Sequence, residues 1–363
     1  MEAQITFCPS STSNSHYRKL RLRLKEVMKT LPKKRKRNKI YVVLSLPLVF
    51  LGVYVLALYF HNLKSLFYLL YAFLGILSVL IFLNIIHDAV HNNVFKKRWM
   101  NHSLLIIFDF LGANSYIWKK RHVLLHHNYQ NIAGWDSDIE QSGLIRIFKD
   151  DQLSWVSRNQ SWLIFILYPM YLLNWMFLRD FKDFFVKGRT IKKVCDIPRI
   201  EYFKLICFKS FFIFYTVILP IVLGVKWYVA LTALFILLTT GSIFAMLTLL
   251  PPHANDKSEF PIPNEEGIVN ISWFEHQFKT TNDVIMDNWI SRHVMGNFNY
   301  HVVHHLFPNI SSVYAPEMTK EIKAFAESVG INYREYKLHK ALYYHYQLIK
   351  ANAFDENIFE EDM

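Results

Sequence analysis

Eight of the sixteen histidines in this 363-residue chain fall into three short clusters: His87 and His91; His122, His126 and His127; and His301, His304 and His305. On a helix, residues three or four apart stand on one face, so each cluster can aim two or three imidazoles at one point. Neutral imidazole is a good ligand for iron, copper, nickel or zinc. A single H-x-x-x-H pair is ordinary on a protein surface, but three clusters in one chain, each beside an apolar stretch, form a metal-site pattern. Eight donors exceed the four that one tetrahedral ion takes; two metal ions are the natural reading. Asp88 inside the first cluster, and Asp136 and Asp138 after the second, are candidates to fix the imidazole tautomers, with exposed loop acids as the alternative. His102, His253 and His293 lie near the clusters but lack ligand spacing, and His16, His61, His339 and His345 read as surface groups.

The elements that carry these clusters read as helices in a membrane. Hydrophobic residues make up 52% of the chain and aromatics 16%, and the mean hydropathy is positive. The apolar residues concentrate in four blocks, Ile40–Phe60, Ser65–Ile86, Leu205–Val225 and Trp227–Leu250, each about the ~20 residues that cross a bilayer. The expected fold is all-α: an integral membrane protein with four transmembrane helices in two hairpins and a helical cytoplasmic cap. Leu104–Trp118 and Trp162–Leu178 are short for spans and read as interfacial or re-entrant helices; both crossing together would also keep the clusters on one side. The layout is then a basic segment 1–39, a membrane domain 40–350 with its cap at 87–204 and 251–350, and an acidic tail 351–363.

Net charge is +12, and twelve Lys and Arg lie between Arg18 and Lys39, directly before the first block. That position marks the cytoplasmic end of a span and suits anionic lipid headgroups, so no nucleic-acid partner is expected. Both hairpins return the chain to the cytoplasm, which puts all three clusters there. The first 39 residues lack the apolar core of a signal peptide, so the first span serves as the insertion signal. Cys8, Cys195 and Cys207 form no C-x-x-C pair and indicate neither a disulfide framework nor a thiolate metal site. Lys119, Lys120 and Arg121 flank the second cluster as candidates for a substrate headgroup.

HDAVH at 87–91, HVLLHH at 122–127 and HVVHH followed by LFP at 301–308 resemble the three histidine boxes of membrane fatty-acid desaturases. The segments 114–139 and 305–316 are similar to bacterial acyl-CoA or linoleoyl-CoA (front-end-like) desaturases, and the resemblance runs from about Ile40 to Lys350. It implies a di-iron centre on His87, His91, His122, His126, His127, His301, His304 and His305, with His276 in SWFEHQFKTTND matching a ninth histidine of the family. It further implies O2 as co-substrate, an acyl-CoA or acyl-lipid substrate, and two electrons from a separate ferredoxin or cytochrome b5. The setting it implies is a bacterial inner membrane, or otherwise the endoplasmic reticulum. Two departures stand out: His301 occupies a position where front-end enzymes usually carry Gln, and the His-Pro-Gly-Gly haem motif of fused cytochrome b5 domains is missing.

Hydroxylation of lipids, alkanes or carotenoids is the nearest rival activity, since the same oxidant can return oxygen to carbon. Haem binding would need facing histidines within spans, and metal transport would need ionisable groups near the midplane. An acyl substrate requires a narrow apolar tunnel, expected between the inner ends of the second and fourth spans and Leu104–Trp118, with Gly112 and Ala113 near its end.

Overall fold

The computed structural model describes residues 5–139, 144–149 and 151–354. Helix α1 (Ser11–Thr30) precedes the hairpin of α2 (Lys34–Tyr59) and α3 (Lys64–Val90); α4 (Gln160–Phe185) follows, then the hairpin of α5 (Arg199–Val222) and α6 (Trp227–Leu249). Four shorter helices complete the frame: α7 (Trp273–Thr280), α8 (His301–Leu306), α9 (Ala315–Ser328) and α10 (Leu338–Ala351). Strands are minor. β1 (Thr6–Phe7) pairs in parallel with β2 (Ile268–Val269), and β3 (Asp283–Ile285) with β4 (Glu335–Lys337).

Helices α3 and α6 form the central pair. Gly75 and Gly241 meet at their crossing, where a Cβ on Gly75 would lie 2.2 Å from the Leu237 carbonyl oxygen. Small residues permit this approach between apolar helices, and Thr240 Oγ1 adds a hydrogen bond to the Ala72 carbonyl at 3.0 Å. The last turns of α3, Phe82–Ile86, widen to a π-helix just before the first histidine cluster. Asn84 donates there to the carbonyls of Leu80 (3.0 Å) and Val294 (2.8 Å), fixing the end of the span to the loop before α8.

Helix α4 departs from expectation. The stretch expected at Trp162–Leu178 is one 26-residue helix, so five helices, not four, have the length and apolarity of a span. Pro169 does not end it, because the chain passes the proline in a single 3₁₀ turn, Tyr168–Met170. Both ends of α4 are tied by hydrogen bonds to residues distant in sequence. Gln160 donates to the carbonyls of Arg146 (3.0 Å) and Ile349 (2.7 Å), and Asp183 accepts from Arg121 (2.6 Å) and Arg189 (2.8 Å). Leu104–Trp118, by contrast, breaks into short helices around Gly112, whose φ of +88° suits glycine, and Asn114, which caps the next turn through Ile117 N at 2.9 Å.

The basic segment before α2 folds onto the cap. Leu20 and Leu24 of α1 are buried against Phe274, Phe307, Met318 and Phe325. Lys39, read from sequence as part of the basic flank against lipid headgroups, is buried, and its ammonium donates to Asp88 and, at 2.7 Å, to Ser312 Oγ. His345, expected on the surface, is buried between the Tyr168 hydroxyl and the Ala254 carbonyl. Residues 355–363 of the expected acidic tail lie outside the described residues.

Removing one partner of a buried ion pair strands the other, typically at a cost of about 3–5 kcal/mol. Lys39→Met should therefore lower the melting temperature of the purified protein in detergent, and the Lys39→Met/Asp88→Asn double variant should recover part of the loss. Equal melting temperatures for wild type and Lys39→Met would show that this pair does not hold α2 to the cap.

Candidate metal centre

The first histidine cluster closes α3: His87 occupies its last turn and His91 follows where the helix stops, with Asn92 at φ +61° turning the chain away. His122 and His126 lie on the π-turn Arg121–His126, with His127 opening the next turn. The third cluster begins α8, whose first amides, His301 N and Val302 N, both donate to Asp283 Oδ1 at 2.7 and 2.8 Å. A carboxylate at a helix start satisfies orphan amides and complements the dipole, so Asp283 sets the direction of this short helix.

The three clusters converge and take in one further histidine, His253, four residues beyond the end of α6. Two groups form: His87, His91, His122 and His304; and His126, His253, His301 and His305. Within each group the candidate ligand atoms lie within 4.8 Å of one another. His127 sits between them, its ring 4.6 Å from those of His91 and His304 and 4.5 Å from that of His305.

The donor set fits metal cations. Although buried, Nε2 of His87, His91, His304 and His305, Nδ1 of His127 and His301, and both ring nitrogens of His253 have no hydrogen-bond partner among the described residues. Such unpaired polar atoms are costly in a dry interior. Burial, reinforced by neighbouring imidazoles, pushes His122, His127, His253, His301, His304 and His305 well below the ordinary histidine range, and His91 to about 3. Neutral imidazoles with free lone pairs are ligands. His126 differs: burial opposes its charged form, but the charge and hydrogen bond of Asp136 outweigh that and raise it. Its Nδ1 lies 2.9 Å from Asp136 Oδ1, which can only accept, so Nδ1 carries the proton and Nε2 keeps its lone pair. Asp138 Oδ2 stands behind His122 Nδ1 in the same way at 3.2 Å.

Asp136 and Asp138 thus sit where the sequence placed them, but Asp88 does not. It faces Lys39 and Ser312 and accepts from no imidazole. His276 is likewise not brought into either group. It is fully buried, with Nε2 3.0 Å from the Gln130 carbonyl oxygen and Nδ1 3.4 Å from Gln277 Nε2. Its place beside the third cluster is taken by His253, which has no histidine at helical spacing. The available signal was its position at the inner end of a span, the same position as His87. Arg121 is buried and paired with Asp183, its guanidinium over the Trp175 ring at 5.0 Å, which removes it from any headgroup surface. Lys119 and Lys120 are partly exposed, with Lys119 Nζ 2.9 Å from His102 Nε2. His102 and His293 are exposed, outside both groups.

An apolar cavity of about 280 Å³ opens onto His87, His122, His126, His253 and His301. Phe82, Met246 and Leu249 bound it from the histidine-bearing ends of α3 and α6, and Trp118 comes from the broken segment. A whole further wall, Leu167 to Leu178 of α4, was not foreseen. Ala113 lines a smaller void of about 50 Å³ behind Tyr171 and Trp175, while Gly112 abuts the Phe212 ring and lines neither cavity.

The sequence model of the family described as fatty acid desaturase matches residues 63–337, three quarters of the chain. This chain belongs to the fatty acid desaturase family. It is 31% identical over 251 residues to an sn-1 linoleoyl-lipid 6-desaturase of Arthrospira platensis, covering 69% of this chain and 68% of that one. It is 30% identical over 260 residues to a protein of the same description from Synechocystis sp., covering 71% and 72%. An acyl-lipid (8-3)-desaturase of Physcomitrium patens is 29% identical over 289 residues, covering 78% of this chain and 59% of its own. The chain is therefore a desaturase, an oxidoreductase of lipid metabolism with apolar helices suited to a membrane and buried histidines able to hold metal.

Asp136→Asn replaces the acceptor behind His126 with a group that can present its amide instead. Loss of such a partner typically costs about 10–100-fold in metal affinity, so this variant should release metal to a chelator that leaves the wild type loaded. Equal retention would show that Asp136 does not tune the site.

Proposed function

We propose that this desaturase holds two iron ions, one on His87, His91, His122 and His304 and one on His126, His253, His301 and His305, with His127 between them. In this reading His253, not His276, completes the set. The observation that carries it is the meeting of two four-histidine groups, rich in unpartnered nitrogens, at the mouth of an apolar cavity. The iron pair, with O2, supplies the oxidant for unactivated C–H bonds, which acid–base side chains cannot break. The chain's own residues do the rest. Phe82, Trp118, Trp175 and Leu249 hold an acyl chain against the histidines and keep water out, so that one pair of adjacent methylenes is presented and two hydrogens are removed. Asp136 and Asp138 hold protons on the outer nitrogens of His126 and His122. His276 and Gln277 fasten α7 to the second cluster through Gln130, a positioning role.

The acyl chain is carried on a lipid, a reading favoured by the similarity to linoleoyl-lipid and acyl-lipid desaturases, and the new double bond is counted from the carboxyl end. Two electrons come from a separate donor, a ferredoxin or a cytochrome b5. Lys119 and Lys120 face the anionic surface of the membrane.

We further propose four spans, α2, α3, α5 and α6, with the histidine-rich cap in the cytoplasm of a bacterial cell. Convergence supports this count. His127 and His253 belong to one site, so an even number of crossings separates them; α5 and α6 supply two, and α4, tied to the cap at both ends, lies along the inner face. The basic run before α2 favours the cytoplasmic side.

Expression in a host without desaturases should yield acyl lipids short of two hydrogens; hydroxylated acyl chains in their place would select the rival reaction. His253→Ala should abolish product and lower bound iron, whereas His276→Ala should keep most of its iron. Full iron and normal turnover in His253→Ala would remove that residue from the site. In a chain with its native cysteines replaced by serine, an impermeant thiol reagent should label Asn62→Cys and Lys226→Cys in intact cells and spare Lys187→Cys. Labelling of Lys187→Cys would overturn the topology.

A further inference from the structure

Next to the acyl cavity lies a second, polar cavity of about 220 Å³. Leu144, Ile145 and Ile147 line both, so one short run of chain separates an apolar chamber from a polar one. Arg146, within this run, is only 8% exposed. It donates through Nη1 to the carbonyls of Asn352 (3.4 Å) and Phe354 (3.2 Å) and through Nη2 to that of Lys149, while its Nε, though buried, has no partner. All its partners are neutral carbonyls; no described carboxylate forms an ion pair with it.

Arg189, in the same cavity, donates to Asp183 at 2.8 Å, but Asp183 also serves Arg121 at 2.6 Å, so two guanidiniums share one carboxylate. Among the described lining residues the acid is Asp151, which accepts from Phe148 N at 3.3 Å. A buried guanidinium without a counter-ion is expensive, and its planar fork matches phosphate oxygens better than any other common anion except carboxylate.

Resting on the acyl-chain reading above, we infer that Arg146, assisted by Arg189, binds the phosphate of the substrate's head while the acyl tail passes over Leu144, Ile145 and Ile147 into the apolar cavity. The headgroup site is thereby moved from Lys119–Arg121 to the loop after the second cluster. Anchoring the head at a fixed distance from the histidines also selects which methylenes reach them, counted from the carboxyl end. On the lipid-carrier reading the phosphate is that of a phospholipid, and CoA, which offers the same chemistry, is the alternative that the test separates.

The test is equilibrium binding of three probes with the same acyl chain, lysophosphatidylglycerol, acyl-CoA and monogalactosyl monoacylglycerol, to the purified full-length protein in detergent. Melting temperature reports the fold of each variant. Arg146→Gln should weaken at least one phosphate-bearing probe about 10-fold or more, ~1.4 kcal/mol, Arg189→Gln should weaken it less, and the galactolipid should bind both variants as it binds wild type. The probe that weakens names the carrier. Unchanged binding to a folded Arg146→Gln protein, or equal weakening of the galactolipid, overturns the assignment. Should Arg146→Gln fail to fold, Arg146→Lys keeps the charge but loses the fork; intermediate affinity supports the inference and wild-type affinity overturns it. If wild type binds none of the three, the acyl cavity itself is misread.

Discussion

Nine imidazoles packed into one dry volume constrain everything else in this protein. Burial and neighbouring imidazoles favour the neutral form, except at His126, whose Nδ1–H is held by the Asp136 carboxylate while Nε2 keeps its lone pair. Seven of them carry a ring nitrogen with no hydrogen-bond partner among the described residues. Only a cation can satisfy so many acceptors at once, and only a fold that brings four separate chain segments to one point can supply them. Close contact at Gly75 and Gly241 sets α3 against α6 and so carries His87 and His253 toward the same place. Asn84 and Asp283 then fix the start of α8 against the end of α3.

A second set of buried charges supports the second cluster from below. Arg121 pairs with Asp183 and Lys209 with Asp180, while Arg179 lies 3.7 Å from Asp138, the acid behind His122. The guanidiniums of Arg121 and Arg179 both lie over the Trp175 ring, at 5.0 and 5.1 Å, and Trp175 also walls the apolar cavity. Lys209 donates to the Gly112 carbonyl at 2.6 Å as well, which ties α5 to the broken segment. These groups cost much to bury and are stable only together, so the cavity wall and the second histidine cluster are positioned by the same contacts.

The sequence made some of this legible and hid the rest for identifiable reasons. The eight box histidines stood out because helical periodicity repeats at three and four residues, and the α2–α3 and α5–α6 hairpins because each block is long and apolar. Periodicity describes one helix face, however, and says nothing about which distant segments meet. His253 has no periodic partner and was passed over; His276 lies on a helix that faces the site with its backbone neighbours but turns its ring to Gln130. Asp88 reads as a partner for an imidazole, Arg121 as a headgroup ligand and Lys39 as part of the basic flank, because their actual partners, Ser312 and Asp183 among them, lie far off in sequence. Helix α4 was underestimated because a proline ordinarily ends a helix, whereas here one 3₁₀ turn absorbs it.

The most direct test of the central claim is metal analysis of the purified, full-length protein combined with Mössbauer spectroscopy after growth on ⁵⁷Fe. The account predicts two iron ions per chain in nitrogen-rich sites, with both lost or perturbed when His127, which lies between the groups, is replaced by alanine. A single ion per chain, or two ions unaffected by that change, would contradict it.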